Sequence, residues 1–370
     1  MWVQALSLTD FRSYPQADLE FSPGVTTFIG MNGQGKTNIV EAIAYLSTLT
    51  SHRVSQDAPL VRRDAEHAVV RARVCEEDRA VTVDVQINPG GANKARINRS
   101  AATRARDILG IVRSVVFAPE DLSLVRGDPS DRRRFLDEMS VQRHPRLSGV
   151  KADYDKVLRQ RNALLKSAGG RSHAAMHATL EAWDEQLISL GADLTRNRAT
   201  FVDDVLPHLQ ISYDTIAGGA DVAARYRPSS PRIAEDPRSV DLESAFAADL
   251  EERRDDEFRR GVTLVGPHRD EVELMLNELP VKGYASHGES WSMALSLRLA
   301  AAEVLRADDV DPIIILDDVF AELDVSRRRH LAAMVQGVTQ VFITAAVAED
   351  VPTELAGTRF DVTKGEVHAA

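Results

Sequence analysis

The chain has 370 residues, 44% hydrophobic and 27% charged, which suits a globular protein with room for one large domain or two ordinary ones. A single cysteine, Cys75, excludes an internal disulfide, and no apolar run reaches the roughly 18 residues of a membrane span. The formal net charge of −11 excludes coating of nucleic acid by bulk charge and leaves room for a local basic patch. The opening MWVQALSLTDFRSY lacks the basic start and long apolar core of a secretion signal, so the expected compartment is the cytoplasm.

In chain order, VQALSLTDF and VTTFIG read as strands joined through the turn SPG. TNIVEAIAYLSTL follows with Ile39, Val40, Ile43 and Leu46 at helical spacing. AVVRARVCEEDRAVTVDVQI alternates around charged turn residues and predicts a hairpin, and SVVFAPEDL predicts a short strand. From Pro129 to Leu206 the pattern becomes helical, with Val150, Tyr154 and Val157, then Leu180, Trp183 and Leu187, three and four apart. Arg227–Ser239 is rich in Pro and Ser and predicts a loop; strand-like text returns after Gly261. The predicted organisation is an α/β core, 1–125 plus 261–370, interrupted by a mainly helical insertion over 126–260.

Between the second strand and the first helix stands FIGMNGQGKTNIVEAI, in which Gly30, Gly35, Lys36 and Thr37 complete the pattern G-x-x-x-x-G-K-T. Glycines such as Gly33 and Gly35 let backbone N–H groups converge on phosphate oxygens, and the helix behind them points its positive end at the anion. Lys36 would reach the β- and γ-phosphates, and Thr37 would offer its hydroxyl to Mg²⁺; the bland alternative is a Gly-rich turn before a helix. Such sites need an acid at the end of a buried strand, and DPIIILDDVFAELD supplies one. Asp317 is the expected Mg²⁺ carboxylate, through water, and Asp318 is placed to orient or deprotonate an attacking water; a helix cap after a core strand is the alternative.

Asp317-Asp318 followed by VFAELD resembles the Walker B and D-loop of ABC-type ATPases. LSLTDFRSYPQADLEFSPGVTTFIGMNGQGKTNIVEAI, FAPEDLSLVRGDPSDRRRFLD, LVGPHRDE and LDDVFAELD together resemble the RecF family of recombination-repair ATPases, which is related to SMC proteins. The resemblance implies an ABC-type head (lobe I, a mixed sheet with helices) carrying a mainly helical lobe II. It also implies ATP and Mg²⁺ as ligands, with Asn32 and Asn38 of the loop, Arg12, Arg53 and the D-loop Asp324 near the nucleotide; for Arg12 and Arg53 a surface arginine is the alternative. Ser286 and Gly288, which begin 31 residues before Asp317, would come from a second copy to close over the γ-phosphate. An ATP-driven dimer clamp on DNA at gapped or stalled sites, acting with RecR and RecO to help RecA load, is implied in the same way.

The match is not complete. Glu289 stands where the family pattern has glutamine, Thr344 occupies the switch-histidine position, and Asp318 is one methylene shorter than the usual glutamate. A shorter base without a histidine suggests slow turnover, suited to a release switch. The chain lacks Leu-Ser-Gly-Gly-Gln, which argues against the alternative of a transporter-coupling ATPase; a nucleotide-gated structural protein without turnover is a further alternative. Glu120 lies where a Q-loop would but is glutamate and not glutamine, so it is not taken as a Mg²⁺ ligand, and His268 sits in the block GPHRDE with either a structural or a functional role open. Arg126–Arg171 holds 12 Lys/Arg against 6 Asp/Glu, an excess of +6, with Arg132, Arg133 and Arg134 as candidate contacts to duplex phosphates; a solvated charged face is the alternative.

Overall fold

The computed structural model describes residues 1–77, 79–102, 104–167, 173–233, 237–238 and 241–370, and the side chains of 173–178 are not among those described. Two compact units emerge, one of residues 1–122, 208–220 and 286–370, the other of 123–207 and 221–285. No helix among the described residues is long and apolar enough to cross a membrane.

The first unit is built on two six-stranded sheets. In one, the strands run in the order Glu366–Ala369, Thr358–Thr363, Gly24–Ile29, Gln340–Ala345, Ile313–Asp317, Ser114–Phe117. All its pairings are parallel except the hairpin at the Glu366 edge. Ile313–Asp317 and Gln340–Ala345 are buried at every position, as central parallel strands covered on both faces must be. The other sheet is antiparallel, and its strand Ala68–Glu76 alternates between buried and more exposed residues because it turns only one face inward. Helix Lys36–Thr48 is buried along most of its length, and Ile39, Val40 and Ile43 share one core with Phe28, Val70, Val83 and Phe342. Phe21 packs edge-on against Phe28, Phe342 and Phe360, tying the parallel strands to the turn that precedes them.

The second unit contains helices Pro129–Arg143, Leu147–Ser167 and Leu242–Arg260, and residues of helix His173–Ala217 as far as Pro207. It is not helical throughout. Val222–Arg227, Glu271–Leu276 and Leu279–Pro280 form a separate three-stranded antiparallel sheet. This moves the expected boundary: residues 261–285 belong with the second unit, and 208–220 with the first. Glu271–Leu276 alternates buried and half-buried positions, the mark of a one-sided antiparallel strand, so its partners lie outside the parallel sheet. Of the segment read as strand-like from Val262, Pro267–Arg269 is a 3₁₀ turn. The predicted loop over Arg227–Ser239 includes residues 234–236 and 239, which lie outside the described residues.

Charged side chains join the elements of this unit. Arg161, with no exposure, donates to Asp184 (2.6 Å), Glu257 (2.6 Å) and Thr263 (2.9 Å), while Arg254 reaches the second oxygen of Asp184 (2.8 Å). Arg198 forms a bidentate pair with Asp137 (2.8 and 2.9 Å) and donates to the Pro267 carbonyl (2.7 Å). Buried Asp270 accepts from the Tyr226 hydroxyl (2.5 Å) and the Ser229 N–H (2.7 Å).

Candidate functional site

Strand Gly24–Ile29 delivers the glycine loop to the N-terminus of helix Lys36–Thr48. Gly33 and Gly35 take φ of 80° and 112°, in the left-handed region that favours glycine. A Cβ at Gly35 would stand 2.8 Å from the Tyr14 hydroxyl oxygen, and one at Gly30 would stand 2.3 Å from the Val362 carbonyl oxygen, so both positions exclude side chains. A Cβ at Gly33 would meet nothing within 4 Å among the described residues, which leaves the rim of the loop open. Gly35 is the N-cap and carries no side chain to satisfy the first N–H groups of the helix, so that end is free for an anion. Gln34 ties the loop down, accepting from Lys364 N (2.6 Å) through its side chain and from Gly365 N (3.1 Å) through its carbonyl.

Lys36 is 3% exposed and bends back over the loop, where Nζ donates to the carbonyls of Gly30 (2.7 Å) and Met31 (3.3 Å). Thr37 donates from Oγ1 to Asp317 Oδ1 (2.9 Å), and Thr344 donates to the same oxygen (2.6 Å). Thr344 also accepts from the Asp318 N–H (2.9 Å), so one buried hydroxyl holds both acids. Asp318 takes φ of 51°, uncommon for a non-glycine residue. Burial raises its carboxyl above the usual range, Asp317 adds to the rise and Lys36 opposes it. That balance suits a group that must take up a proton. The donor set of one hydroxyl, one carboxylate and an open anion-binding helix end fits a magnesium-nucleotide, because Mg²⁺ keeps several waters and takes few protein oxygens. No cluster of three or more metal-ligating side chains occurs among the described residues, so the phosphates and water would supply the remaining ligands.

Helix Lys36–Thr48 carries a second polar system. Glu41, with no exposure, takes a bidentate pair from Arg12 (2.8 and 2.6 Å), the Ser51 hydroxyl (2.5 Å) and Arg53 (3.5 Å). Arg12, expected near the phosphates, is thus held by Glu41 and the Pro59 carbonyl (3.1 Å). A buried carboxylate needs such a partner, and this explains the acid in the apolar run IVEAI. Arg53 also reaches Asn38 Oδ1 (3.2 Å), and Asn38 donates to Ser13 (2.9 Å), so both touch the first turn of the helix. Asn32 stands exposed at the loop tip.

Ser286, Gly288 and Asp324 form a separate group, and among the described residues no hydrogen bond or ion pair joins them to the loop. Ser286 caps helix His287–Ala307: its N–H donates to Glu289 Oε2 (2.7 Å), and Glu289 N donates back to its hydroxyl (3.3 Å). Glu289 therefore completes a capping box, which the spacing Ser-x-x-Glu encodes and which accounts for the carboxylate at that place. These bonds hold its carboxyl below the usual range. Asp324 caps helix Val325–Val335 through Arg327 N (2.9 Å) and pairs with the Arg327 guanidinium (3.0 Å). A Cβ at Gly288 would stand 3.2 Å from that guanidinium, so the two helix starts meet there.

The arginine run requires correction. Arg132 is 5% exposed and spends its guanidinium on Glu271 (2.7 Å twice) and the carbonyls of Leu124 and Gly127. Arg133 donates to the Asp270 carbonyl (2.8 Å); of the three only Arg134 is exposed, and it lies 3.9 Å from Glu138. Acids distant in sequence thus neutralise much of the local excess. The exposed bases on helix Leu147–Ser167 are Lys156, Arg159 and Lys166, which fall on one face; Arg171 lies outside the described residues. His268 shares a hydrogen bond with the Tyr154 hydroxyl (2.7 Å), and burial holds its pKa down at about 4, so it is neutral and structural at pH 7. Glu120 is exposed in the turn Pro119–Asp121.

Sequence reasoning left the role of Thr344 open and passed over His52, Gln34 and Glu41. The polar residue inside an apolar helix was the one available signal, for Glu41.

The chain matches the family model for the RecF/RecN/SMC N terminal domain over residues 2–364. It is similar to the DNA replication and repair protein RecF of Frankia alni, 54% identical over 99% of each chain, and to that of Nocardioides sp., 52% identical over 99% of each. Its structure resembles that of the recombination mediator protein RecF-ATP of the RecFOR pathway, with a TM-score of 0.91, 27% identity and coverage of 100% of this chain and 97% of the other. An Smc head domain from Pyrococcus furiosus shares the fold at a TM-score of 0.58 and 17% identity, over 100% and 96% of the two chains. The glycine loop, the paired acids and these likenesses lead to one assignment: the chain belongs to the RecF family, and its fold is the ABC-type ATPase head that RecF shares with SMC proteins.

Proposed function

We propose that this chain is an ATP-gated DNA-binding protein of replication and recombinational repair, acting in the cytoplasm, whose slow hydrolysis resets it. The observation that carries the reading is the arrangement in which Thr37 and Thr344 converge on Asp317 beside an uncapped helix end. Gly33, Gly35 and the first turn of the helix would bind the phosphates, and Lys36 would exchange its loop carbonyls for them. Thr37 and Asp317 would hold Mg²⁺, which neutralises charge on the phosphates when bound. Asp318, with its raised carboxyl, takes the proton of the attacking water. Thr344 fixes the Asp317 carboxylate but offers no imidazole, which supports slow turnover.

Ser286 and Gly288 belong to a helix start that, among the described residues, makes no bond to the loop of its own chain, and this supports their use by a second copy. Closure of two copies would build the DNA clamp. Lys156, Arg159 and Lys166 replace Arg132, Arg133 and Arg134 as the proposed phosphate contacts. Likeness to a protein of the RecFOR pathway supports work with RecR and RecO to help RecA load. The transporter-coupling alternative falls with the family assignment.

Sedimentation of the protein with and without ATP·Mg²⁺ and a short duplex tests the reading. A monomer that becomes a DNA-bound dimer only with ATP is the expected result. A species indifferent to ATP overturns the gated clamp.

A further inference from the structure

One polar side chain at the edge of the nucleotide site has no hydrogen bond among the described residues. After helix Lys36–Thr48 the chain reverses at Leu49, whose φ is 55°. Ser51 and Arg53 are then both pinned to Glu41, at 2.5 and 3.5 Å. The Ser51 hydroxyl also accepts from the N–H groups of Arg53 (3.0 Å) and Val54 (3.2 Å). His52 is therefore held at both of its neighbours. Its side chain is 13% exposed, and both ring nitrogens are buried without a hydrogen-bond partner. Nε2 lies 3.7 Å from Asp317 Oδ2. The bonds from Thr37 and Thr344 both end on Oδ1, so Oδ2 is the oxygen left over.

A separation of 3.7 Å is too long for a direct hydrogen bond and short enough for one oxygen atom, placed to the side, to reach both groups. Buried polar atoms without partners are uncommon and costly, and this one faces the acid that both threonines serve. An imidazole can donate or accept at either nitrogen, so it can take whichever role a bound water leaves open. We propose that His52 is a positioning residue for the divalent cation of the nucleotide: with Asp317 Oδ2 it grips a water of the hydrated metal and so sets the angle of that carboxylate. The proposal rests on the reading of the loop as a magnesium-nucleotide site. On this view His52 costs stability in the free protein and recovers it only when Mg²⁺ and nucleotide arrive together.

Two measurements on the full chain test it. Binding of a methylanthraniloyl-ATP probe is followed in EDTA and across a MgCl₂ titration, for the natural protein, His52→Phe, His52→Asn and Lys36→Ala. Thermal melting of the same proteins is recorded without nucleotide. Loss of a group that orients a metal's ligands typically weakens metal affinity about 10- to 100-fold. His52→Phe should therefore need about tenfold more Mg²⁺ for half-maximal effect, with binding in EDTA unchanged, and His52→Asn should recover part of the loss. Because phenylalanine removes unpartnered polar atoms while keeping the ring, its free form should melt at the same temperature or about 2 °C higher. An unchanged Mg²⁺ midpoint in His52→Phe overturns the proposal. So does an equal loss of affinity in EDTA and Mg²⁺, or a lower melting temperature, since either marks a purely structural role. If the natural protein shows no Mg²⁺-dependent binding, or Lys36→Ala binds as well as it does, the nucleotide site itself is misread and the proposal falls with it.

Discussion

The charge network of the second unit and the nucleotide site of the first bury charge in opposite ways. In the second unit Arg161 has three partners, Asp184 and Glu257 are each used at both oxygens, and Arg198 is clamped between a carboxylate and a carbonyl. In the first unit Lys36 makes do with loop carbonyls and Asp318 sits in a left-handed conformation. There too, among the described residues, Asp317 keeps one oxygen without a hydrogen bond and the His52 ring makes no hydrogen bond. A saturated network has no capacity left for a ligand and acts as a joint between helices. An unsaturated one carries a cost that only an incoming ligand relieves.

The largest expected effect breaks the saturated side. Arg161→Ala leaves Asp184 and Glu257 without their shared cation and should cost about 3–5 kcal/mol, read as a lowered denaturant midpoint. A loss below about 1 kcal/mol would show that the network is not holding the helices together. On the unsaturated side, Asp318→Asn should lower ATP turnover by about 100- to 10,000-fold while nucleotide binding and the ATP-dependent dimer persist. Hydrolysis at the natural rate would remove Asp318 from its catalytic role.

The third effect is a pH dependence inside the saturated unit. His268 is neutral in the folded protein down to about pH 4, whereas in the unfolded chain it takes a proton near 6.5. As pH falls from 6.5 to 4 the unfolded state binds a proton that the folded state refuses, so stability decreases across that window, by about 2–3 kcal/mol at its lower end. His268→Gln should flatten this part of the stability profile, and an unchanged profile would exclude His268 as its source. The smallest effect concerns surface charge. Alanine at Lys156, Arg159 and Lys166 should weaken duplex binding several-fold and reduce the salt slope by about 0.9 for each phosphate no longer neutralised. Arg132→Ala should lower stability and leave that slope alone; a flattened slope would return Arg132 to the DNA surface.

The phosphate loop was legible because its chemistry needs contiguous residues, and Asp317 because a strand buried on both faces must be continuously apolar. Thr344 and His52 were not, since their meaning depends on Asp317 arriving from 27 residues before one and far beyond the other in the chain. The arginine run misled for a related reason: the acid that absorbs Arg132 lies 139 residues downstream, and charge counted in a window cannot see it. The sheet of the second unit was readable in the alternation of Glu271–Leu276 but was absorbed into the core by its position between core segments. Glu289 looked like a lost glutamine when its spacing from Ser286 already spelled a cap.

Strand Gly24–Ile29, which launches the phosphate loop, pairs among the described residues only with Gln340–Ala345 and Thr358–Thr363. Both are translated about 300 residues after it, a wait of roughly 15–60 s at ~5–20 residues per second. During that time the strand has two open edges, a hazard for pairing with other chains. Residues 123–207 and 221–285, the second unit, are all made before those strands and can close first. A growing chain therefore builds its second unit before its nucleotide site, and a chain interrupted anywhere before Gln340 should leave the ribosome unable to hold a nucleotide at all.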